Sequence, residues 1–311
     1  MPMQHRKLII LGSGAAGLTA AIYASRAGLS PLLLTGGQPG GQLTIAGEVE
    51  NYPGFVEAID GGDLTATMQE QAERVGTEIE YDTILSVDLD TRPFVLKGEN
   101  GEYSCDALII STGAKARWLG VEGESDYMGK GVSACATCDG FFFKGLDAVV
   151  VGGGNTAVEE ALYLSKICRT VHLVHRRDCL RAETILQERL RARDNVAFHW
   201  NARVEKIVGN EDLTKVGSVV IVSTLDGSKD FVKTDAVFVA IGHDPVTQLF
   251  EGKLETFSGG YLKTEAGGTR TSVDGVFAAG DVSDPVYRQA VTAAGMGCMA
   301  ALDADRWLEK R

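Results

Sequence analysis

The chain has 311 residues, 44% of them hydrophobic, which is enough for two domains with buried cores. Its formal net charge of −12 argues against binding to nucleic acid or to an anionic membrane surface, because both need a basic face on the protein. The sequence has no run of about 18 apolar residues, so a transmembrane helix is not expected.

The N-terminal segment resembles a secretory signal at first sight. A basic stretch, His5-Arg6-Lys7, precedes the apolar run Leu8–Leu11. That run stops after four residues at a glycine, which is too short for a signal and fits a buried strand that enters a turn. We therefore predict a cytoplasmic protein whose first strand spans Lys7–Leu11.

A nucleotide-binding motif follows this strand. It reads Gly12-Ser13-Gly14-Ala15-Ala16-Gly17 and leads into a predicted helix over Leu18–Ala27 and a second strand over Pro31–Leu34. Strand, GxGxxG, helix and strand come in the order that a dinucleotide-binding βαβ unit requires. Gly12 permits the tight turn, Gly14 lets the backbone approach a pyrophosphate, and Gly17 lets the helix pack closely on the strand.

The same pattern occurs a second time. A strand over Ala148–Val151 precedes Gly152-Gly153-Gly154-Asn155-Thr156-Ala157, a helix that runs to Leu164, and a strand over Val171–His175. A single glycine motif is a weak signal. Two copies with correct flanking elements indicate two bound dinucleotides.

The residues after the two motifs separate the two ligands. Arg176, Arg177 and Arg181 follow the second motif's strand, where cationic donors favour the 2′-phosphate of NADP(H) over the ribose of NAD. After the first motif, Thr35 stands where an acidic ribose partner is usual. This departure leaves the first ligand undefined by the motif alone.

Six cysteines fall into two groups. Cys105, Cys168, Cys179 and Cys298 stand singly, and we expect each to be a buried small hydrophobic residue. Cys135 and Cys138 form a CxxC pair followed by Asp139. Half a zinc site and a structural disulfide are the alternatives to thiol–disulfide exchange. Zinc is disfavoured because no second CxxC or CxxH occurs, and a structural disulfide is unusual in a reducing compartment.

The C-terminal part carries a resemblance to known proteins. Gly275–Asp281, which ends in Ala-Ala-Gly-Asp, resembles the second FAD signature of flavoproteins that bind two dinucleotides. With Ala134-Cys135-Ala136-Thr137-Cys138-Asp139-Gly140, the chain closely resembles the bacterial low-molecular-weight thioredoxin reductases. Further matching segments are Gly40-Gly41-Gln42-Leu43, Glu50-Asn51-Tyr52-Pro53-Gly54 and Arg288-Gln289-Ala290.

The resemblance implies an α/β fold with two Rossmann-like domains, one inserted in the other. The FAD-binding domain would comprise 1–113 and 246–311, and the NADPH-binding domain, which carries the CxxC pair, 114–245. Each would contain a parallel sheet and a small antiparallel layer. The connections near Gly113–Arg117 and Gly242–Pro245 would act as hinges.

The resemblance also assigns cofactor residues, and it implies no metal. The residues expected at FAD are Gly12, Ser13, Gly14, Ala15, Ala16, Gly17, Thr35, Gly36, Gly37, Gly40, Gly41, Gln42, Leu43, Asn51, Thr112, Gly113, Gly280, Asp281, Arg288, Gln289 and Ala290. Those expected at NADPH are Gly152, Gly154, Asn155, Thr156, Ala157, His175, Arg176, Arg177, Arg181, Ile241 and Gly242.

The implied activity is NADPH-dependent reduction of thioredoxin by a homodimer. NADPH would reduce FAD, FAD would reduce the Cys135–Cys138 disulfide, and the domains would rotate between the two half-reactions. Cys138 would face the flavin, Cys135 would attack thioredoxin, and Asp139 would act as the acid. Asp139 could instead be a turn residue beside Gly140.

Three other functions are weaker. The flavoprotein subunit of alkyl hydroperoxide reductase adds a long N-terminal region. A ferredoxin–NADP reductase of this fold would lack the cysteine pair. A nucleotide-sensing scaffold would not need the cysteine pair.

Overall fold

The structure is a computed structural model that describes residues 3–257 and 259–311. Its strands are β1 Gln4–Leu11, β2 Leu32–Leu34, β3 Glu48–Val49, β4 Ile59–Asp60, β5 Glu78–Glu80, β6 Ile84–Asp88, β7 Phe94–Gly98, β8 Glu102–Ile110, β9 Ala114–Ala116, β10 Val132–Ser133, β11 Asp147–Gly152, β12 Thr170–Val174, β13 Val196–His199, β14 Ala202–Gly209, β15 Val216–Ser223, β16 Lys229–Lys233, β17 Ala236–Ala240, β18 His243–Pro245 and β19 Val276–Ala278. Its α-helices are α1 Ala15–Arg26, α2 Gly61–Arg74, α3 Ala136–Asp139, α4 Asn155–Leu164, α5 Thr184–Arg191 and α6 Ala290–Leu308.

The chain divides into two compact units. Unit 1 comprises the described residues up to Lys115 and from Asp244 onward, and unit 2 is the insertion Ala116–His243. The boundaries predicted from the sequence lie after residue 113 and before residue 246. The two connecting segments, β9 and β18, pair with each other as a two-stranded sheet.

Unit 1 is built on a seven-stranded sheet. The strand order is β5-β2-β1-β8-β7-β6, and β19 also pairs with β8. The central strand β1 is parallel to β2 and β8, in the register Leu11↔Leu34 and Leu11↔Ile110. Because successive side chains point to opposite faces, Leu8 and Ile10 join the core under α1 and α6, and Ile9 and Leu11 join the core on the other face.

The antiparallel part of unit 1 differs from the prediction. A separate small layer was expected, but the hairpin β6–β7 continues the main sheet, because β7 pairs with the first half of the long strand β8. The second half of β8 pairs in parallel with β19 on the same edge. One nine-residue strand therefore pairs with two strands on this edge, in addition to β1 on its other edge.

Unit 2 contains a five-stranded parallel sheet in the order β10-β17-β11-β12-β13 and a three-stranded antiparallel sheet, β14-β15-β16. Alternate residues of β11 again serve two cores. Ala148 and Val150 pack with the buried side of α4, and Val149 and Val151 pack toward the antiparallel sheet. Here the predicted antiparallel layer is a separate sheet.

The four single cysteines do not share one environment. Cys105 and Cys168 are buried as predicted, and Cys298 is half-buried. Cys179 is exposed, so the prediction is wrong for this residue. It lies in the turn between β12 and α5, where the chain runs over the surface, and the sequence had placed it in an apolar stretch.

Within the described chain, none of the helices has the length and apolar character that crossing a lipid bilayer demands.

Candidate functional site: two glycine cradles and a disulfide

The first glycine motif joins β1 to α1, and its three glycines have different surroundings. A Cβ on Gly12, whose φ is +100°, would lie 2.3 Å from the carbonyl oxygen of Ser111. A Cβ on Gly17 would lie 1.8 Å from the carbonyl oxygen of Gly12. A Cβ on Gly14 would meet nothing within 4 Å. Gly12 and Gly17 are thus required by packing, and Gly14 is open toward its surroundings.

Gly14 is also the N-cap of α1. No side chain caps this helix end, and its first turn holds no acidic residue. The first backbone N–H groups of a helix lack partners within the helix and favour an anion. Helix α1 begins at Ala15, three residues earlier than predicted, because the motif's own alanines are helical.

Other predicted FAD residues gather around this motif. The Ser13 hydroxyl accepts a hydrogen bond from the Gly40 amide (3.0 Å) and donates to the Thr35 carbonyl (3.3 Å). A Cβ on Gly41, whose φ is +68°, would lie 3.2 Å from the Cα of Gly14. The Gly40–Gly41 turn therefore lies against the motif.

A second group of predicted FAD residues precedes α6. The Asn51 amide donates to the Gln289 side chain (3.4 Å), although the two residues are 238 positions apart. Burial is the main cause that raises the pKa of Asp281 to about 6; the Asp284 charge also contributes to this rise, and the Arg288 charge opposes it. Asp284, which the sequence analysis missed, accepts backbone hydrogen bonds from Val286, Tyr287 and Arg288 and so shapes this turn.

The remaining predicted FAD residues lie in unit 1 as follows. Gly36 and Gly37 follow β2, Thr112 and Gly113 follow β8, Gln42 and Leu43 lie in the 3₁₀ helix Gly41–Ile45, Gly280 follows β19, and Ala290 begins α6.

The second glycine motif repeats the first in unit 2. A Cβ on Gly152 would lie 2.4 Å from the carbonyl oxygen of Ala240, whereas one on Gly154 would meet nothing within 4 Å. Gly154 is the N-cap of α4, which again has no side-chain cap and no acidic residue in its first turn. Asn155 and Thr156 form that first turn, and Ala157 packs against Gly152.

The predicted phosphate-binding segment lies beside this second motif. The Arg181 amide donates to the carbonyl of Gly153 (2.7 Å), and a Cβ on Gly153 would lie 2.2 Å from the ring of His175. Burial lowers the pKa of His175, so its ring is neutral near pH 7. Arg176, Arg177 and Arg181 are exposed and form no ion pair with another described residue.

The predicted residues Ile241 and Gly242 follow β17 in the same unit. Gly242 has φ +111°, and its carbonyl accepts a hydrogen bond from the Arg117 amide (2.9 Å).

Cys135 and Cys138 form a disulfide, with their Cα atoms 5.3 Å apart. Cys135 is the N-cap of the short helix α3. Its carbonyl accepts hydrogen bonds from the backbone amides of Cys138 (3.2 Å) and Asp139 (3.1 Å). The Cys135 Sγ lies 3.4 Å from the exposed hydroxyl of Thr137. One helical turn thus holds both sulfur atoms next to each other in unit 2, where both cysteines are half-buried.

Asp139 has the electrostatics of a proton donor. Burial raises the pKa of its carboxyl, and a hydrogen bond from the Ser133 hydroxyl lowers it in part. The Ser133 hydroxyl also accepts a hydrogen bond from the Cys135 amide (3.0 Å). Ser133 is only 8% exposed. Ser133 was not predictable from the sequence, because one serine two residues before a cysteine gives no signal until α3 turns Asp139 back toward it.

The disulfide and the second glycine motif lie at opposite ends of α4. A Cβ on Gly140, just after α3, would lie 2.9 Å from the Leu164 side chain at the end of α4. The glycine motif is at the start of this ten-residue helix, which makes the separation about 15 Å along its axis. Two large aromatic side chains that follow the disulfide closely in the sequence, Phe141 and Phe142, are 57% and 37% exposed.

Comparisons with known proteins agree with this geometry. The family model described as pyridine nucleotide-disulphide oxidoreductase matches residues 6–297. A thioredoxin reductase of Vibrio cholerae is 54% identical, with 99% of this chain and 98% of that protein covered. A Pseudomonas fluorescens protein named glucosaminate ammonia-lyase is 53% identical, with 99% and 97% covered. The solved structure of thioredoxin reductase from Giardia duodenalis superposes with a TM-score of 0.94 at 43% identity and covers 99% of this chain and all of its own.

The chain belongs to the pyridine nucleotide-disulphide oxidoreductase family. Within that family it is a member of the bacterial-type thioredoxin reductases. The resemblance, the α/β class with Rossmann-like units and the prediction of an enzyme of this class are confirmed. Family membership implies a flavin and a pyridine nucleotide as cofactors.

The residues present fit two such dinucleotides. Each unit has one open glycine at an uncapped helix N-terminus, which suits a pyrophosphate. Unit 1 adds the buried carboxyl of Asp281, an acceptor for ligand hydroxyl groups, and unit 2 adds three exposed arginines without ion-pair partners in the described chain.

Proposed function

We propose that the protein reduces the disulfide of thioredoxin with electrons from NADPH, with FAD as the intermediate carrier and the Cys135–Cys138 pair as the immediate donor. The observation that carries this proposal is the disulfide of unit 2, on the end of α4 opposite to a nucleotide cradle. Overall, NADPH, a proton and a protein disulfide become NADP⁺ and a protein dithiol.

Unit 1 would hold the flavin. The amides at the start of α1 would bind the FAD pyrophosphate, with Gly14 and Gly41 giving room for close approach. Asp281 would accept hydrogen bonds from hydroxyl groups of the ribityl chain, and Asn51 and Gln289 would lie near the ring system. Bound FAD supplies the two-electron chemistry that links a nicotinamide to a disulfide.

Unit 2 would hold NADPH. The start of α4 would bind its pyrophosphate, and Arg176, Arg177 and Arg181 would bind the 2′-phosphate. His175 packs under the glycine loop as a neutral ring and would keep that loop in place.

The cysteines would transfer electrons by thiol–disulfide exchange. The Cys135 thiolate attacks the thioredoxin disulfide, forms a mixed disulfide and releases one thioredoxin thiol. Cys138 then attacks the mixed disulfide, releases the second thiol and re-forms the internal disulfide. The position of the Cys135 Sγ beside the exposed Thr137 hydroxyl supports its role as the attacking sulfur. Asp139, with its raised pKa, would donate the proton to a departing thiolate.

The partner would be a protein. Phe141 and Phe142 are exposed aromatic side chains just after α3, the short helix that carries Cys138. Such side chains are typical of protein interfaces. A homodimer, implied by the resemblance, and a cytoplasmic location, predicted from the sequence, remain predictions.

Two domain orientations are also part of the proposal. The nicotinamide and the disulfide would both belong to unit 2, and both would have to reach one flavin in unit 1. The paired segments β9 and β18 connect the units and are the hinge candidates.

The test is NADPH-driven reduction of purified thioredoxin. We expect turnover by the FAD-loaded wild-type protein, and none by Cys135→Ser or Cys138→Ser, both of which should still bind FAD. Full turnover by the Cys138→Ser protein would contradict the assignment of that sulfur. A protein that releases ammonia from glucosaminate and leaves thioredoxin oxidised would instead match the lyase name of one relative. The redox disulfide, for which such a lyase has no need, favours the reductase.

A further inference from the structure

A cavity of about 400 Å³ lies on the surface of unit 2, away from the nucleotide cradle. Its lining is Leu162, Lys166, Arg189, Ala192 and Arg193, which come from the last turns of α4 and α5 and the residues just after them. Three of these five residues are cations and none is an acid. This is unusual on a chain whose formal net charge is −12.

The three cations are not neutralised by ion pairs. Lys166, Arg189 and Arg193 are exposed, and none forms an ion pair with a described residue, although Glu159, Glu188 and Asp194 are close in sequence.

Neighbouring arginines behave differently. Arg169 pairs with Asp147 (2.5 Å), and Arg191 stacks over Phe198 and Trp200. Attraction to the helix C-termini accounts for a cation at such a position, but it leaves the side chain available to a second partner.

The cavity lies beside the segment that follows α3. Lys166 precedes Ile167, whose side chain would be 3.5 Å from a Cβ on Gly140, the residue after α3. The Ile167 carbonyl also accepts the Gly145 amide (2.8 Å), and the Cys168 thiol donates to the Phe143 carbonyl (3.5 Å). The segment that carries the exposed Phe141 and Phe142 is therefore bound directly to the segment that carries Lys166.

We infer that these three cations, together with the exposed phenylalanines, form a docking surface for an acidic face of the protein substrate. This inference rests on the proposed function. A partner that meets Cys135 over Phe141 and Phe142 would extend across Lys166 toward Arg189 and Arg193. The local positive charge would oppose the repulsion that a chain of net charge −12 exerts on an acidic partner.

The test compares two double charge reversals in the FAD-loaded protein. Arg189→Glu/Arg193→Glu changes the proposed surface, and Lys215→Glu/Lys233→Glu makes the same charge change at exposed residues of the antiparallel-sheet side of unit 2. We expect the first variant to raise the KM for thioredoxin by about tenfold with little change in kcat, and the control to change it by less than about twofold. The salt dependence of kcat/KM should weaken in the first variant.

The outcomes separate the two proposals. Equal KM values for both variants, with active wild-type protein, would overturn the docking surface and leave the proposed function standing. Binding of inorganic pyrophosphate that is lost in the first variant, with unchanged thioredoxin kinetics, would overturn it in favour of a small-anion site. If the wild-type protein oxidises NADPH but leaves thioredoxin oxidised, the proposed function fails and the docking surface fails with it.

Discussion

At the scale of single residues, the proton at Asp139 is the most testable feature. Burial raises the pKa of this carboxyl above its ordinary value of 3.8, so part of its protonated form persists at higher pH. An acid must be protonated to donate. Thioredoxin turnover should therefore fall as pH rises through the pKa of Asp139, and Asp139→Asn should lower kcat by at least about tenfold and lose that falling limb.

Ser133→Ala is the matched control for this prediction. The Ser133 hydroxyl lowers the pKa of Asp139, so its removal should move the falling limb to higher pH without abolishing turnover. The measurement is kcat against pH for the wild type and both variants. An unchanged limb in the Asp139→Asn protein would assign the proton to another group.

Some residues of the candidate site could be predicted from the sequence and others could not. The CxxC pair, the glycines and the arginines were predictable because each chemistry needs those residue types at that spacing. Ser133 and Asp284 were not, since their partners depend on how α3 and the turn before α6 fold back. Cys179 was predicted wrongly, because an apolar neighbour such as Leu180 does not show that the thiol itself is turned outward.

At the scale of elements, the proposed function gives the glycines of the first motif two roles, packing for Gly17 and cofactor binding for Gly14. Gly17→Ala places a Cβ 1.8 Å from a backbone oxygen and should destabilise the fold by about 1–3 kcal/mol, measured by urea unfolding. Gly14→Ala meets nothing within 4 Å and should leave stability nearly unchanged, while FAD affinity falls by about tenfold or more. Equal effects of the two substitutions on FAD affinity and on stability would refute this division.

The elements themselves were largely predictable. Continuous apolar strands and helices opening on glycines identified the two parallel sheets, because strands buried on both faces read as unbroken hydrophobic runs. The continuation of the unit 1 sheet into β6 and β7 was not predictable, because it depends on β8 being long enough to pair with both β7 and β19.

At the scale of the whole molecule, the proposed function requires the two units to adopt two orientations in turn. A short crosslink between one cysteine introduced in each unit should abolish thioredoxin turnover, because a locked protein cannot serve both half-reactions. Bleaching of the flavin by NADPH without thioredoxin reduction would show that the orientation for NADPH was locked, and a flavin that NADPH does not bleach would show that the other was locked. Undiminished turnover in the fully crosslinked protein would rule out the two orientations.

The proposed function depends above all on electrons from NADPH reaching Cys135 and Cys138. The direct measurement is anaerobic addition of NADPH to the FAD-loaded protein, followed by alkylation and mass spectrometry of the cysteine peptides. We predict that Cys135 and Cys138 become labelled only after NADPH is added, with about two equivalents of NADPH consumed per chain, because the flavin and the disulfide each take up an electron pair. An unlabelled Cys135–Cys138 disulfide in a protein whose flavin NADPH has fully bleached would contradict the account.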